Sequence, residues 1–302
     1  TADVISGFRA ALGSATRQRG HLMPNLGFRA YNRHQEENLM AAFQGRTAVI
    51  TGAAEGIGAA ISRSLWAGGA DLAAVDIKPV DMARITNGRG RADQRFFSYE
   101  CDATSSEDVA RTCRSIESDL GPVSILVNNV GGGGNEPADD IETLTDEQWE
   151  FVISLTLSSG MRFCRALVGG MKARKYGRII NISSSLKDGV FGPVGTVRGR
   201  LPYITCKNAV IGLTRQLAND LGPFGISVNA VSPGLTLPGE DARITQRFHS
   251  LPPEEQARLF AHIPLGRLAN GEDIANAVCF LAAEASGYIS GETLTVTGGG
   301  YR

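Results

Sequence analysis

Tyr203 and Lys207, in the stretch LPYITCKNAVIGLTRQLANDLG, are the residues whose types and spacing most directly offer chemistry. Four positions apart on a helix, a phenol and an ammonium share one face. A positive charge beside a phenol favours phenolate and lowers the phenol's pKa towards working pH, which suits a general acid/base acting on an alcohol or carbonyl oxygen. Pro202 suits a first helical turn, and Gly222 with Pro223 marks an end, so the sequence predicts a helix over Tyr203 to Leu221. The pair gains its force from what accompanies it, because a Tyr-x-x-x-Lys spacing also arises by chance.

That company begins at Arg46. The apolar run Ala48 to Ile50 reads as a strand, and Thr51-Gly52-Ala53-Ala54-Glu55-Gly56-Ile57-Gly58 follows at once as a glycine turn opening a helix. Unpaired N–H groups at such a helix start could receive a pyrophosphate, with glycine where backbone must approach phosphate closely. The spacing is neither Gly-x-Gly-x-x-Gly nor a P-loop. Asp76 closes the next strand, Leu72 to Val75, about 20 residues beyond the turn, where a carboxylate accepts both ribose hydroxyls of NAD and repels the 2′-phosphate of NADP. No arginine or lysine lies in the turn to offset that repulsion, so the expected cofactor is NAD.

With these residues in view, the chain from about Gln44 onward resembles a short-chain dehydrogenase/reductase. The glycine turn resembles that family's cofactor turn, with Gly52, Glu55, Gly56, Ile57 and Gly58 in the binding positions. Cys101-Asp102-Ala103 resembles the acidic turn that brackets the adenine, and Asn128-Asn129-Val130-Gly131 resembles the Asn-Asn-Ala-Gly strand end. Asn181-Ile182-Ser183-Ser184, Tyr203-x-x-x-Lys207, Asn229 to Gly234 and the tail Thr297 to Gly300 complete the series in the family's order. The resemblance implies that Tyr203 is the acid/base and that Ser184 hydrogen-bonds the substrate oxygen, with Ser185 as the fallback. It implies that Lys207 tunes Tyr203 and holds the nicotinamide ribose, and that Asp76, Asp102, Ala103, Asn129, Val130, Gly131, Pro233 and Gly234 contribute to the cofactor site.

Two departures from the family pattern stand out. By the resemblance Thr156 joins Ser184, Tyr203 and Lys207 as a catalytic position, in the place of an asparagine whose kinked helix usually holds a proton-relay water; a threonine hydroxyl can hold a water but lacks the amide's paired donor and acceptor, so an altered relay or a lower activity is expected. The interval from Ser184 to Tyr203 is several residues longer than usual, which points to a loop shaping substrate access or to a plain surface loop.

The elements that must position these residues alternate. Strands are expected at 46–51, 71–76, 95–100, 125–128, 178–183, 226–231 and 292–297, with helices from 56, at 106–120, 146–174, 203–221 and 272–283, and an irregular insert before the last helix. Such alternation predicts an α/β fold with a doubly wound parallel sheet of about seven strands, helices on both faces, and a ligand crevice beyond the strand C-termini. The family resemblance makes that sheet Rossmann-like. Residues 44–302 are expected to form this single domain, with a substrate lid near 236–262, and residues 1–43 an N-terminal arm. The arm is rich in arginine and faintly like an organellar transit peptide, and it is expected to pack on its own or a neighbouring subunit.

Composition excludes several classes. A net charge of −1 offers no footprint for nucleic acid, and no apolar run approaches the ~20 residues of a membrane span. Five scattered cysteines without Cys-x-x-Cys fit a reducing, cytoplasmic setting, and Cys206 is read as packing. Four histidines without ligand spacing predict no metal site.

Arg243, Arg247 and Arg258 in the lid, with Arg198 and Arg200 in the long interval, could clamp a carboxylate; solvated helix faces explain them equally well. The Asn-Asn-Val-Gly-Gly run and the non-asparagine at 156 also resemble dehydrogenases that rearomatise cyclic diene-diols. The expected function is NAD-dependent hydride transfer between nicotinamide and a secondary alcohol or ketone, with a cyclic diol or an acid-bearing molecule as the candidate substrates. The alternative is a non-catalytic NAD-binding or scaffold protein on the same fold. Family members are commonly homodimers or homotetramers, which the resemblance extends to this chain.

Overall fold

The structure, a computed structural model, describes residues 42–88, 90–134, 140–189, 200–240 and 242–300. Most of the expected N-terminal arm therefore lies outside the described residues, as does Arg198. Phe43, assigned to the arm by sequence, is buried against Gly68, so the domain begins a little earlier than Gln44.

The chain runs β1 (Thr47–Thr51), α1 (Gly56–Ala67), β2 (Asp71–Asp76), α2 (Met82–Thr86), β3 (Phe96–Glu100), α3 (Ser106–Leu120) and β4 (Val123–Asn128). It continues with α4 (Asp146–Ile153), a π-helical turn (Ser154–Ser158), α5 (Ser159–Arg174), β5 (Gly177–Ile182), α6 (Arg200–Leu221) and β6 (Ile226–Pro233). The last part holds β7 (Thr236–Leu237), α7 (Arg243–His249), α8 (Pro253–Ala261), β8 (Ala269–Asn270), α9 (Gly271–Ala282) and β9 (Thr293–Val296).

Seven strands pair in the order β3-β2-β1-β4-β5-β6-β9, all parallel. The order reverses between β1 and β4, and a crevice opens there beyond the strand C-termini. Central strands such as TAVIT and VSILVN are buried on both faces, which is why they read as continuous apolar runs rather than alternating ones. One layer packs Ala48 and Ile50 under α1 and α9, through Ile61, Leu65, Ile274 and Val278. The other packs Val49 and Leu126 under α3 and α5, through Ile116, Phe163, Leu167 and Met171.

One expectation is refined and one changes. Asp146–Arg174 is one continuous helical span as expected, with a π-helical turn set into it, and an 18-residue window of it, with a mean hydropathy of 1.3, is long and apolar enough to cross a membrane by length and composition. Val152, Phe163, Leu167 and Met171 are buried in the domain, and about a third of the apolar window is buried in all. The insert expected to be irregular contains α7, α8 and a two-stranded parallel ribbon of β7 and β8. These elements are folded around their own apolar cluster of Phe248, Ile263 and Leu268, with Phe260 edge-on to Phe248.

Candidate active site

The glycine turn leaves β1 and enters α1 with Glu55 at the N-cap position, extended and making no side-chain hydrogen bond to the helix. No acidic residue sits in the first turn, so the N–H groups there remain suited to an anion. Gly56 holds a φ of +66°, and a Cβ on Gly58 would stand 1.9 Å from the Gly52 carbonyl oxygen. Only glycine allows that contact. This cradle fits a dinucleotide pyrophosphate in shape and in donor chemistry.

Asp76, at the end of β2, accepts from the Ala54 amide at 3.0 Å through one carboxylate oxygen and from the Lys78 amide at 3.1 Å through the other. The carboxylate is thereby aimed across the turn. Lys78 also brings its ammonium to 3.9 Å from Glu55, placing a cation at the rim that the sequence pattern of the turn alone did not show. Asp102, after β3, accepts from the amide and the hydroxyl of Thr104, and Ala103 offers its carbonyl to Arg162. Asn129 donates to the carbonyls of Thr51 and Gly52, while the Thr51 hydroxyl accepts from the amides of Asn129 and Val130. These bonds fasten the end of β4 to the glycine turn. At the end of β6, Pro233 pairs with β9 and Gly234 donates its amide to Val296.

The reactive trio gathers at the end of β5. Ser184 is buried, and its hydroxyl is hydrogen-bonded to the Tyr203 oxygen; Ser185 begins a short 3-10 helix instead. Pro202 lies within α6, which starts at Arg200, slightly ahead of the expected boundary. Lys207 is 4% exposed and donates to the Ile182 carbonyl at 2.6 Å, while the Ser183 hydroxyl donates to the Lys207 carbonyl at 2.6 Å. Its ammonium lies 5.6 Å from the centre of the Tyr203 ring.

The electrostatics differ from the sequence expectation. Burial pushes the Tyr203 phenol above its ordinary value, the Ser184 hydrogen bond pulls the other way, and Lys207 does not bring it down. Burial also lowers Lys207 from 10.5 to about 8. Loss of water acts on both groups, disfavouring the charged form of each.

Behind the trio, the Asn128 side chain donates to Asn181 at 2.9 Å, and Asn181 donates to the Thr214 hydroxyl on α6 at 2.9 Å. Asn181 and Thr214 tie β5 to α6; Asn181 opens the Asn-Ile-Ser-Ser motif, while no spacing rule distinguishes Thr214 from other polar residues of a helix. Thr156 sits in the π-helical turn and bonds to Gly132 in both directions. Arg200 opens α6, and Arg247 and Arg258 lie exposed on α7 and α8; nothing is described of the Arg243 side chain. Among the described residues no group of three or more potential metal ligands occurs.

Residues 52–301 match a family model described as Enoyl-(Acyl carrier protein) reductase. The chain is 34% identical over 259 residues to 3-oxoacyl-(acyl-carrier-protein) reductase of Escherichia coli (strain K12), covering 86% of this chain and 98% of that protein. It is 33% identical over 255 residues to acetoacetyl-CoA reductase of Shinella zoogloeoides, covering 84% and 98%. Among solved structures, a 7 alpha-hydroxysteroid dehydrogenase complexed with NADH and 7-oxo glycochenodeoxycholic acid superposes with a TM-score of 0.75 at 30% identity, covering 88% of this chain and 97% of that one. A 3-oxoacyl-(acyl-carrier protein) reductase with bound NAD from Brucella melitensis gives 0.73 at 26% identity, covering 94% and 98%.

Proposed function

The chain belongs to the short-chain dehydrogenase/reductase family, and from that premise we propose that it is an NAD-dependent oxidoreductase interconverting a secondary alcohol and a ketone. The observation that carries this reading is the Ser184–Tyr203 hydrogen bond at the end of β5, with Lys207 one turn further along the same helix face. In the oxidising direction Tyr203 accepts the hydroxyl proton as the carbinol carbon gives up its hydride, and Ser184 orients the oxygen. In the reducing direction Tyr203 returns the proton to the forming alkoxide. Bound NAD supplies the hydride acceptor and a positive ring that favours tyrosinate. Lys207, anchored on the Ile182 carbonyl, keeps donors for the nicotinamide ribose.

The cofactor is held by Gly52, Glu55, Gly56, Ile57 and Gly58 at the pyrophosphate, by Asp76 at the ribose, by Asp102 and Ala103 at the adenine, and by Asn129 to Gly131, Pro233 and Gly234 towards the nicotinamide. NAD is favoured over NADP by Asp76, and the two superposed relatives are described with NAD and NADH. Lys78 works in the other direction, so Asp76 is the residue that sets the preference.

The substrate reading follows the relatives, which act on 3-oxoacyl, acetoacetyl or 7-oxo steroid groups. The five cysteines are free, which supports a cytoplasmic location, and the family supports a homo-oligomer.

The test is absorbance of reduced nicotinamide with NAD or NADP over cyclic and linear secondary alcohols, with and without carboxylates. Turnover is expected with NAD, and Tyr203→Phe is expected to lose about 100-fold or more. Asp76→Ala is expected to weaken NAD and improve NADP. Cofactor binding without turnover across the panel would instead favour a non-catalytic NAD-binding protein.

A further inference from the structure

Thr156 is 4% exposed and stands in the π-helical turn between α4 and α5. Its hydroxyl accepts from the Gly132 amide at 3.0 Å and donates to the Gly132 carbonyl at 3.0 Å. A threonine hydroxyl has one proton, so its donor capacity is spent on this bond. Hydroxyls elsewhere in these helices behave differently. Ser159, Thr205 and Thr214 each donate back to the carbonyl four residues earlier in their own helix. That is the usual local option for serine and threonine. Thr156 reaches outward across to the end of β4.

What it reaches is adjacent to the reactive trio. A Cβ on Gly131 would lie 3.2 Å from Lys207 Nζ and 3.2 Å from Thr156 Cγ2. The Gly131 backbone is therefore fitted between the threonine and the ammonium. From the other side Lys207 is held by the Ile182 carbonyl.

We propose that Thr156 is a positioning residue: by clamping both polar groups of Gly132 it holds the Gly131 backbone at a set height over Lys207 Nζ, and its hydroxyl relays no proton. The clamp is a property of the protein alone. Its kinetic consequence rests on the oxidoreductase reading above.

The test compares Thr156→Val, which removes the hydroxyl at nearly constant volume, with Thr156→Ser, which keeps it. Amide hydrogen exchange is followed at Gly132 in the full chain, together with kcat, cofactor KM and the solvent deuterium isotope effect on kcat. In the valine variant, Gly132 exchange is expected to rise and kcat to fall about tenfold, and the isotope effect to persist. The serine variant is expected to stay within about threefold of the parent in both measurements. Unchanged Gly132 exchange in the valine variant overturns the clamp. Lost protection in the serine variant overturns it too, and that comparison decides the matter if the valine variant does not fold. An isotope effect that disappears in the valine variant overturns the claim that no proton passes through the hydroxyl. If the parent turns over no substrate, the oxidoreductase reading fails while the exchange comparison still decides the clamp.

Discussion

Lys207 shows how a residue's neighbours are outweighed by its burial. Sequence spacing places an ammonium one turn from the Tyr203 phenol and predicts a lowered phenol. In the fold the ammonium sits 5.6 Å from the ring centre, and removal of water dominates, raising the phenol and lowering the amine to about 8. The lysine shift has a measurable consequence for stability. Its folded pKa lies below its unfolded value of 10.5, so between about pH 8 and 10 the unfolded chain binds more protons and stability due to this group rises with pH. The thiols of Cys101, Cys113, Cys164, Cys206 and Cys279, whose pKa values burial raises, act in the opposite sense above their ordinary value of 9.0. The difference between parent and Lys207→Met isolates the lysine. Melting temperatures at pH 7.5 and 9.5 are expected to show the parent gaining on the variant as pH rises; a constant difference would contradict the shift.

At the scale of elements, α1 and the divided helix α4–α5 do the positioning. The close approach of Gly58 to the Gly52 carbonyl leaves no space for a methyl group. Gly58→Ala must push α1 away from the turn, and is expected to cost about 1–3 kcal/mol. Cofactor affinity should drop as well, because the N–H groups at the helix start move with the helix. Calorimetric melting and titration with NADH would check both effects. The π-helical turn is the element least visible in sequence: WEFVISLTLSSGMRFCRALVGGM keeps an apolar pattern through it, and the long-range bonds of Thr156 to Gly132 appear only when β4 and α5 pack together. The lid elements read as irregular in sequence because their apolar residues form a small cluster of their own rather than extending the main core.

For the whole molecule, both sheet edges expose a large apolar side chain, Phe97 on β3 and Leu294 on β9. The outer strand β9 leaves Leu294 at 36% and its neighbouring helix leaves Phe280 at 53%. Large exposed apolar side chains beside an edge strand are a liability that association can remove. Light scattering is expected to give a mass at least twice the 32.0 kDa of the chain, and Leu294→Lys with Phe280→Glu to reduce it. A monomeric parent would contradict the homo-oligomer.

The order of strands and helices, the glycine turn, Asp76 at the end of β2 and the Tyr203–Lys207 pair were all legible in the chain. They depend on local rules: apolar runs long enough for a strand, glycine where a positive φ is needed, and a helical period that aligns residues four apart. Tertiary structure alone decided that Lys78 would stand at the rim of the glycine turn, that Asn181 and Thr214 would join β5 to α6, and that Thr156 would seize Gly132. It also decided the direction in which burial moves the pKa values of Tyr203 and Lys207. Each of these depends on residues distant in sequence meeting in a space that excludes water, and neither that proximity nor the desolvation is written in any local pattern.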